Sequence, residues 1–136
     1  MDLDRTPEQI ASAAAEEIRA LAHRTLPVGA FHGEDGFRGV APARLSGTVQ
    51  GLLTLTQRLP QSLQQIRRAL QTLEEEQQIR MTNGQAPGDA VSTALRALLN
   101  AEEAFKAAEH ALQTAGTTMA AMGGYLDDTE DEPAAL

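Results

Sequence analysis

From Leu45 to Leu73 one line of residues recurs in alternating steps of four and three: Leu45, Val49, Leu52, Thr56, Leu59, Leu63, Ile66, Leu70 and Leu73. That spacing is a heptad seam, and it constrains the chain to a long helix that buries one stripe against another helix. The line continues into Gln77 and Arg80, where it turns polar. Pro60 falls beside the seam rather than on it, and a kink is expected there because proline removes a backbone donor and crowds the preceding turn. A full break near Leu59 is the alternative.

A second seam follows. Val91, Ala94, Leu98, Ala101, Phe105, Ala108, Leu112, Ala115, Met119 and Met122 step by the same threes and fours, with Leu126 as a further candidate. This predicts a helix over about residues 90–122. Large residues alternate with alanine, which lets two backbones approach closely. Between the seams lies MTNGQAPGD, residues 81–89, a turn by composition. Asn83-Gly84 tolerates positive φ, Pro87 does not continue a helix, and Asp89 suits an N-cap. Folding back at the middle of that turn sets Leu73 opposite Leu98, Ile66 opposite Phe105, Leu59 opposite Leu112 and Leu52 opposite Met119. In this register Arg67 and Arg68 come level with Glu102 and Glu103, as exposed pairs that tune orientation.

Upstream, TPEQI carries a helix start: Thr6 as N-cap, Pro7 at the first helical position and Gln9 completing a capping box. Ile10, Ala14, Ile18 and Leu21 then mark a narrow apolar face over residues 7–24. Residues 25–43 hold Pro27, Pro42 and four glycines and read as an irregular loop, with Phe31, Phe37 and Val40 as anchors. The expected fold class is therefore all-α: an N-terminal helix (1–24), a Gly/Pro-rich loop (25–43), a long antiparallel, coiled-coil-like hairpin (44–126) and an acidic tail (127–136).

Composition narrows the chemistry. The chain has no Cys, which removes disulfides, Cys-ligated zinc and thiol catalysis. Net charge is −8, of which the tail supplies −5, leaving a mildly acidic body unsuited to nucleic acid or anionic membranes. No apolar run approaches the roughly 18 residues of a membrane span, and the opening MDLDRTPEQI lacks the pattern of a secretory leader. His32, Glu34 and Asp35 could be read as metal ligands, but no second His stands at ligand spacing. The acids Glu74–Glu76, Glu102 and Glu103 are expected on solvated helix faces rather than as a general acid and base. Glu102, Glu109 and His110 do not match the Glu-x-x-His spacing of a di-metal bundle. No catalytic residue, cofactor or metal is expected, and the chain reads as a non-enzymatic protein–protein interaction module. Leu53, Leu55, Ile79, Leu95 and Leu99 lie off the seams and are the expected partner interface, covered by the first helix or by a second chain.

The hairpin, the glycine of Thr82-Asn83-Gly84 and the placement of Tyr125 before acids resemble the WXG superfamily of type VII secretion substrates and associates. In that family a Trp-x-Gly marks the turn, and a Tyr followed four residues later by an acid marks an export signal. Here only Gly84 matches at the turn, and Thr129 stands four residues after Tyr125, flanked by Asp128 and Glu130. The resemblance covers about residues 44–130. It implies dimerisation into a four-helix bundle, homo- or heteromeric, recognition of Tyr125, Asp128 and Glu130 by secretion machinery, and export from the cytoplasm without a cleaved signal peptide. The alternative is a cytosolic adaptor or assembly subunit of a mobile element or phage.

Overall fold

The computed structural model describes residues 1–25 and 42–123. The expected loop with His32, Glu34 and Asp35, and the expected signal Tyr125, Asp128 and Glu130 with its acidic tail, lie outside the described residues. Among the described residues there are three helices and no strand: α1 (Pro7–Arg24), α2 (Pro42–Glu75) and α3 (Gly88–Ala120). The chain divides into two units, Met1–Ala41 and Pro42–Leu136.

In the first unit, α1 begins as its sequence dictates. The Gln9 backbone N–H donates to the Thr6 hydroxyl at 3.2 Å, and the Thr6 N–H donates to Gln9 Oε1 at 2.9 Å. Two of the orphan donors of a helix start are thereby satisfied reciprocally. Glu8 sits in the same turn. Its own backbone N–H and the Thr6 hydroxyl hold its carboxyl below the ordinary value. The small stabilisation this implies is present above the unfolded-state pKa and is lost as pH falls through the folded value. At the other end the Thr25 hydroxyl donates to the Leu21 carbonyl at 2.9 Å.

In the second unit, α2 and α3 pack against each other. Arg67 of α2 meets Glu102 of α3, while Val49 and Gln50, near the α2 start, lie beside Gly116, near the α3 end. Low numbers on one helix therefore face high numbers on the other, and the pair is an antiparallel hairpin. Helix α2 runs unbroken through Pro60.

The hairpin turns back earlier than expected. Helix α2 stops at Glu75 rather than continuing through Gln77 and Arg80. The Gln78 N–H donates to the Leu73 carbonyl (2.9 Å) and the Gln77 N–H to the Glu74 carbonyl (3.0 Å), with Gln77 at φ 55°. These are the two bonds of a Schellman cap, closed here by a glutamine in the left-handed region. Gly84, at φ 76°, takes the positive φ that its Asn-Gly dipeptide allows, and Asn83 Oδ1 accepts from the Gln85 N–H at 3.1 Å. Helix α3 starts at Gly88 behind Pro87, so Asp89 lies in its first turn instead of capping it. Because α2 ends early, Gly116 lies beside Val49 and Gln50 rather than Leu55. The pairing departs from the expected one by two residues at Arg67–Glu102 and by five to six at Gly116.

The buried line is also rotated. On α2 the buried residues are Leu53, Thr56 and Pro60, followed by the half-buried Leu63, Arg67 and Leu70, while the expected seam residues Leu45, Val49, Leu52 and Leu59 are half-buried alongside. On α3 it runs through Val91, Glu102 and Gly116, with Leu95, Leu98, Phe105, Leu112 and Met119 half-buried along it. Pro60 is thus inside, not beside, the seam. Ile66 and Leu73, expected inside, are 52% and 44% exposed. Leu52 and Leu53 are both leucines about 100° apart around the helix, so hydrophobicity alone does not choose between them. Glu102 supplies a reason for the choice. Turning Ile66 toward α3 in place of Arg67 would bury that carboxylate without its cation, a costly arrangement.

Candidate interaction face

The buried line is partly polar. Glu102 is 5% exposed and accepts a hydrogen bond from Arg67 Nε at 2.7 Å. The Arg67–Glu102 partnership agrees with the charge pattern, but the pair is not the exposed one expected. Glu102 in particular is not on a solvated face, while Glu103 is exposed. A charge-assisted bond of this length satisfies both groups and ties one turn of α2 to one turn of α3. The Thr56 hydroxyl, also buried, donates to the Leu52 carbonyl at 2.8 Å. Pro60, one turn later, has no N–H to offer the Thr56 carbonyl. At the far end, a β-carbon on Gly116 would come within 2.5 Å of Gln50 Nε2 and 3.8 Å of Val49 Cγ1, so the two helices approach closely there.

With these residues at its centre, the hairpin has two unlike flanks. On α2, the positions just after the buried line are Gln50, Gln57, Gln64 and Gln71; the positions just before it are Leu45, Leu52, Leu59, Ile66 and Leu73. On α3, the corresponding polar flank carries Ser92, Leu99, Lys106 and Gln113, and the other flank carries Ala94, Ala101, Ala108 and Ala115. In an antiparallel pair these flanks match, leucines beside alanines on one side and glutamines beside mostly polar residues on the other. The next position outward on the apolar side adds Thr48, Leu55, Ser62 and Ala69 from α2, and Ala90, Ala97, Ala104 and Ala111 from α3. None of these residues carries a charge.

The expected partner residues separate in this frame. Leu53 is buried between the two helices at 8% exposure and is unavailable to a partner, which corrects its assignment. Leu95 is half-buried along the same line. Leu55 is half-buried on the apolar flank, whereas Leu99 is 40% exposed on the polar one. Ile79 is half-buried in the segment between the helices. They do not form one surface. Sequence reasoning missed Ile66 and Leu73 as surface residues because it placed them in the core. The signal that could have found them was the unbroken absence of charge along one side of both helices.

Other chemistry is thin on the described surface. A shallow groove on α3 is lined by His110, Gln113, Thr114, Thr117 and Thr118. The Thr114 and Thr118 hydroxyls donate to the carbonyls of His110 and Thr114. Both protons are therefore engaged in backbone bonds rather than facing a base. Among the described residues no three His, Asp or Glu side chains gather as a metal set. No described helix is long and apolar enough to cross a membrane. No family model, no curated protein and no solved structure matches this chain.

Proposed function

We propose that this chain is a non-enzymatic helical interaction module whose hairpin presents the leucine–alanine flank to another protein. The observation that carries this reading is an imbalance. Among the described residues the buried apolar side chains are Leu53, Pro60 and Val91, while Ile66 and Leu73 stand half-exposed on a charge-free face. A hairpin with so little buried on its own gains stability by covering such a face. The test is the double variant Ile66→Gln with Leu73→Gln. The expected result is unchanged helicity with loss of the association seen for the unaltered chain. A chain that runs as a monomer with no specific binder at any accessible concentration would defeat the reading.

As part of the same proposal, export through a type VII system is the role suggested by Tyr125 and its acidic followers. Replacing Tyr125 by Ala in a strain with an active system is expected to retain the protein in the cell. Unchanged secretion would reject the signal and favour the adaptor role.

A further inference from the structure

We infer that Asn83 is a self-modifying site: its side-chain carboxamide is attacked by the backbone nitrogen of Gly84, and the hairpin turn converts, with release of ammonia, to aspartate or isoaspartate. This modification is independent of the interaction-module reading. The chain has two asparagines, Asn83 and Asn100, and the fold treats them differently. Asparagine is thermolabile because its carbonyl carbon lies within reach of the next backbone nitrogen. After Asn83 that nitrogen belongs to Gly84, which has no β-carbon to block the approach, and both residues are exposed. A β-carbon built on Gly84 would meet nothing within 4 Å, so the space around it is open to water. The Asn83 side chain is already folded back. Its Oδ1 accepts from the Gln85 N–H at 3.1 Å, and its Nδ2 donates to Gln85 Oε1 at 3.3 Å. An oxygen that reaches the N–H two residues on carries its carbonyl carbon back over the intervening Gly84 nitrogen. The same N–H polarises that carbonyl and faces the oxygen on which charge develops during attack. The Gly84 N–H donates to the Met81 carbonyl at 3.1 Å, a single bond closing an exposed turn. Asn100 is exposed too, but it sits inside α3. There the next nitrogen, that of Ala101, is one rung of the helix ladder, and a helical side chain leans toward the preceding turn, away from that nitrogen.

The step balances with water alone. Hydroxide takes the Gly84 N–H proton, and the nitrogen forms a bond to Asn83 Cγ, placing the negative charge on Oδ1. The carbonyl re-forms, the Cγ–Nδ2 bond breaks, and the nitrogen leaves as ammonia with a proton from water. A cyclic imide remains. Water then opens it at either carbonyl, giving aspartate where the new bond breaks and isoaspartate where the original peptide bond breaks. One water enters, one ammonia leaves, and no electrons change hands between reactants. Isoaspartate routes the main chain through the side-chain carbon and lengthens the turn by a methylene. Either product places a carboxylate at the hairpin tip, in a segment between α2 and α3 whose charges are Glu76 and Arg80. The tip therefore passes from neutral to negative as the protein ages, while the flanking helices keep their own hydrogen bonds.

The test holds the full chain in heavy-oxygen water, at neutral and at mildly alkaline pH, and maps its peptides by mass spectrometry. The expected result is time-dependent uptake of one heavy oxygen atom and loss of the carboxamide nitrogen at Asn83, faster at the higher pH. Asn100 should stay an amide over the same interval, and helicity by circular dichroism should be retained. Gly84→Ala crowds the attacking nitrogen and should slow the uptake severalfold. Because Gly84 stands at φ 76°, where alanine is strained, Asn83→Gln serves as a second variant. Its longer side chain closes a larger, slower ring, so the uptake at that position should be lost. A carboxamide that survives at Asn83 over weeks of incubation would overturn the inference. So would conversion of Asn100 at the same rate, or an undiminished rate in Asn83→Gln or in a folded Gly84→Ala chain.

Discussion

The two flanks of the hairpin are built on the same two helices and differ only by which side of the buried line they occupy. One carries a glutamine at every seventh residue from Gln50 to Gln71; the other carries a leucine or isoleucine at every seventh residue from Leu45 to Leu73. Glutamine hydrogen-bonds to water and covers a seam without demanding a partner. A leucine stripe left in water costs on the order of 25 cal/mol per Å² of exposed apolar surface. The difference is one of chemistry: glutamines line one edge, while on the other Leu45, Leu52 and Leu59 are half-buried and Ile66 and Leu73 stand exposed. The line between the flanks is itself mixed, since it carries a buried Glu102 and a half-buried Arg67 among its aliphatics.

The largest expected effect comes from that dividing line. Glu102→Ala leaves Arg67 paired with nothing at a site where it is 21% exposed. Breaking a buried pair costs about 3–5 kcal/mol, and the partial exposure of Arg67 brings the expectation to about 2–3 kcal/mol in chemical denaturation. Replacing both partners, Arg67→Met with Glu102→Leu, should recover most of that loss. Failure to recover would mean the pair specifies the register rather than filling a space. A second experiment compares neighbours. Leu53→Ala removes a buried side chain and should cost about 2–3 kcal/mol. Ile66→Ala, on a residue 52% exposed, should cost under about 1 kcal/mol in a variant held monomeric. Equal losses in that background would erase the distinction between core and flank.

Smaller effects sharpen the geometry. Gln77 closes the α2 cap at φ 55°, where glycine is unstrained, so Gln77→Gly should stabilise the hairpin by about 0.5–1 kcal/mol in thermal melts. A loss instead would show that the glutamine side chain holds the turn. At Gly116 the crowding is with the flexible end of exposed Gln50. Gly116→Ala should therefore be near neutral, since a helix-propensity gain of up to about 1 kcal/mol offsets the displacement of Gln50. Gly116→Leu should push α2 and α3 apart and lower stability clearly.

The all-α class, the three helices, the cap at Thr6 and the hairpin turn at Asn83-Gly84 were legible because each is written in neighbouring residues. The Arg67–Glu102 partnership was also legible, as complementary charges at roughly matching levels. Its burial was not, because a carboxylate on a helix reads as solvated until its cation is seen to face it across the interface. The partner residues were least legible. Leu53 and Leu52 are chemically identical, and their fates differ by a rotation of α2 about its own axis.

Local chemistry thus determined which segments are helices and that two of them must pack lengthwise, since periodicity and capping act within a few residues. The register and the rotation were decided only in three dimensions. An unusual Schellman cap at Gln77 ended α2 early, and the need to face Glu102 with Arg67 selected one of two equivalent leucine lines. Both are interactions whose energies depend on where the other helix lies. That single rotation is what left Ile66 and Leu73 exposed.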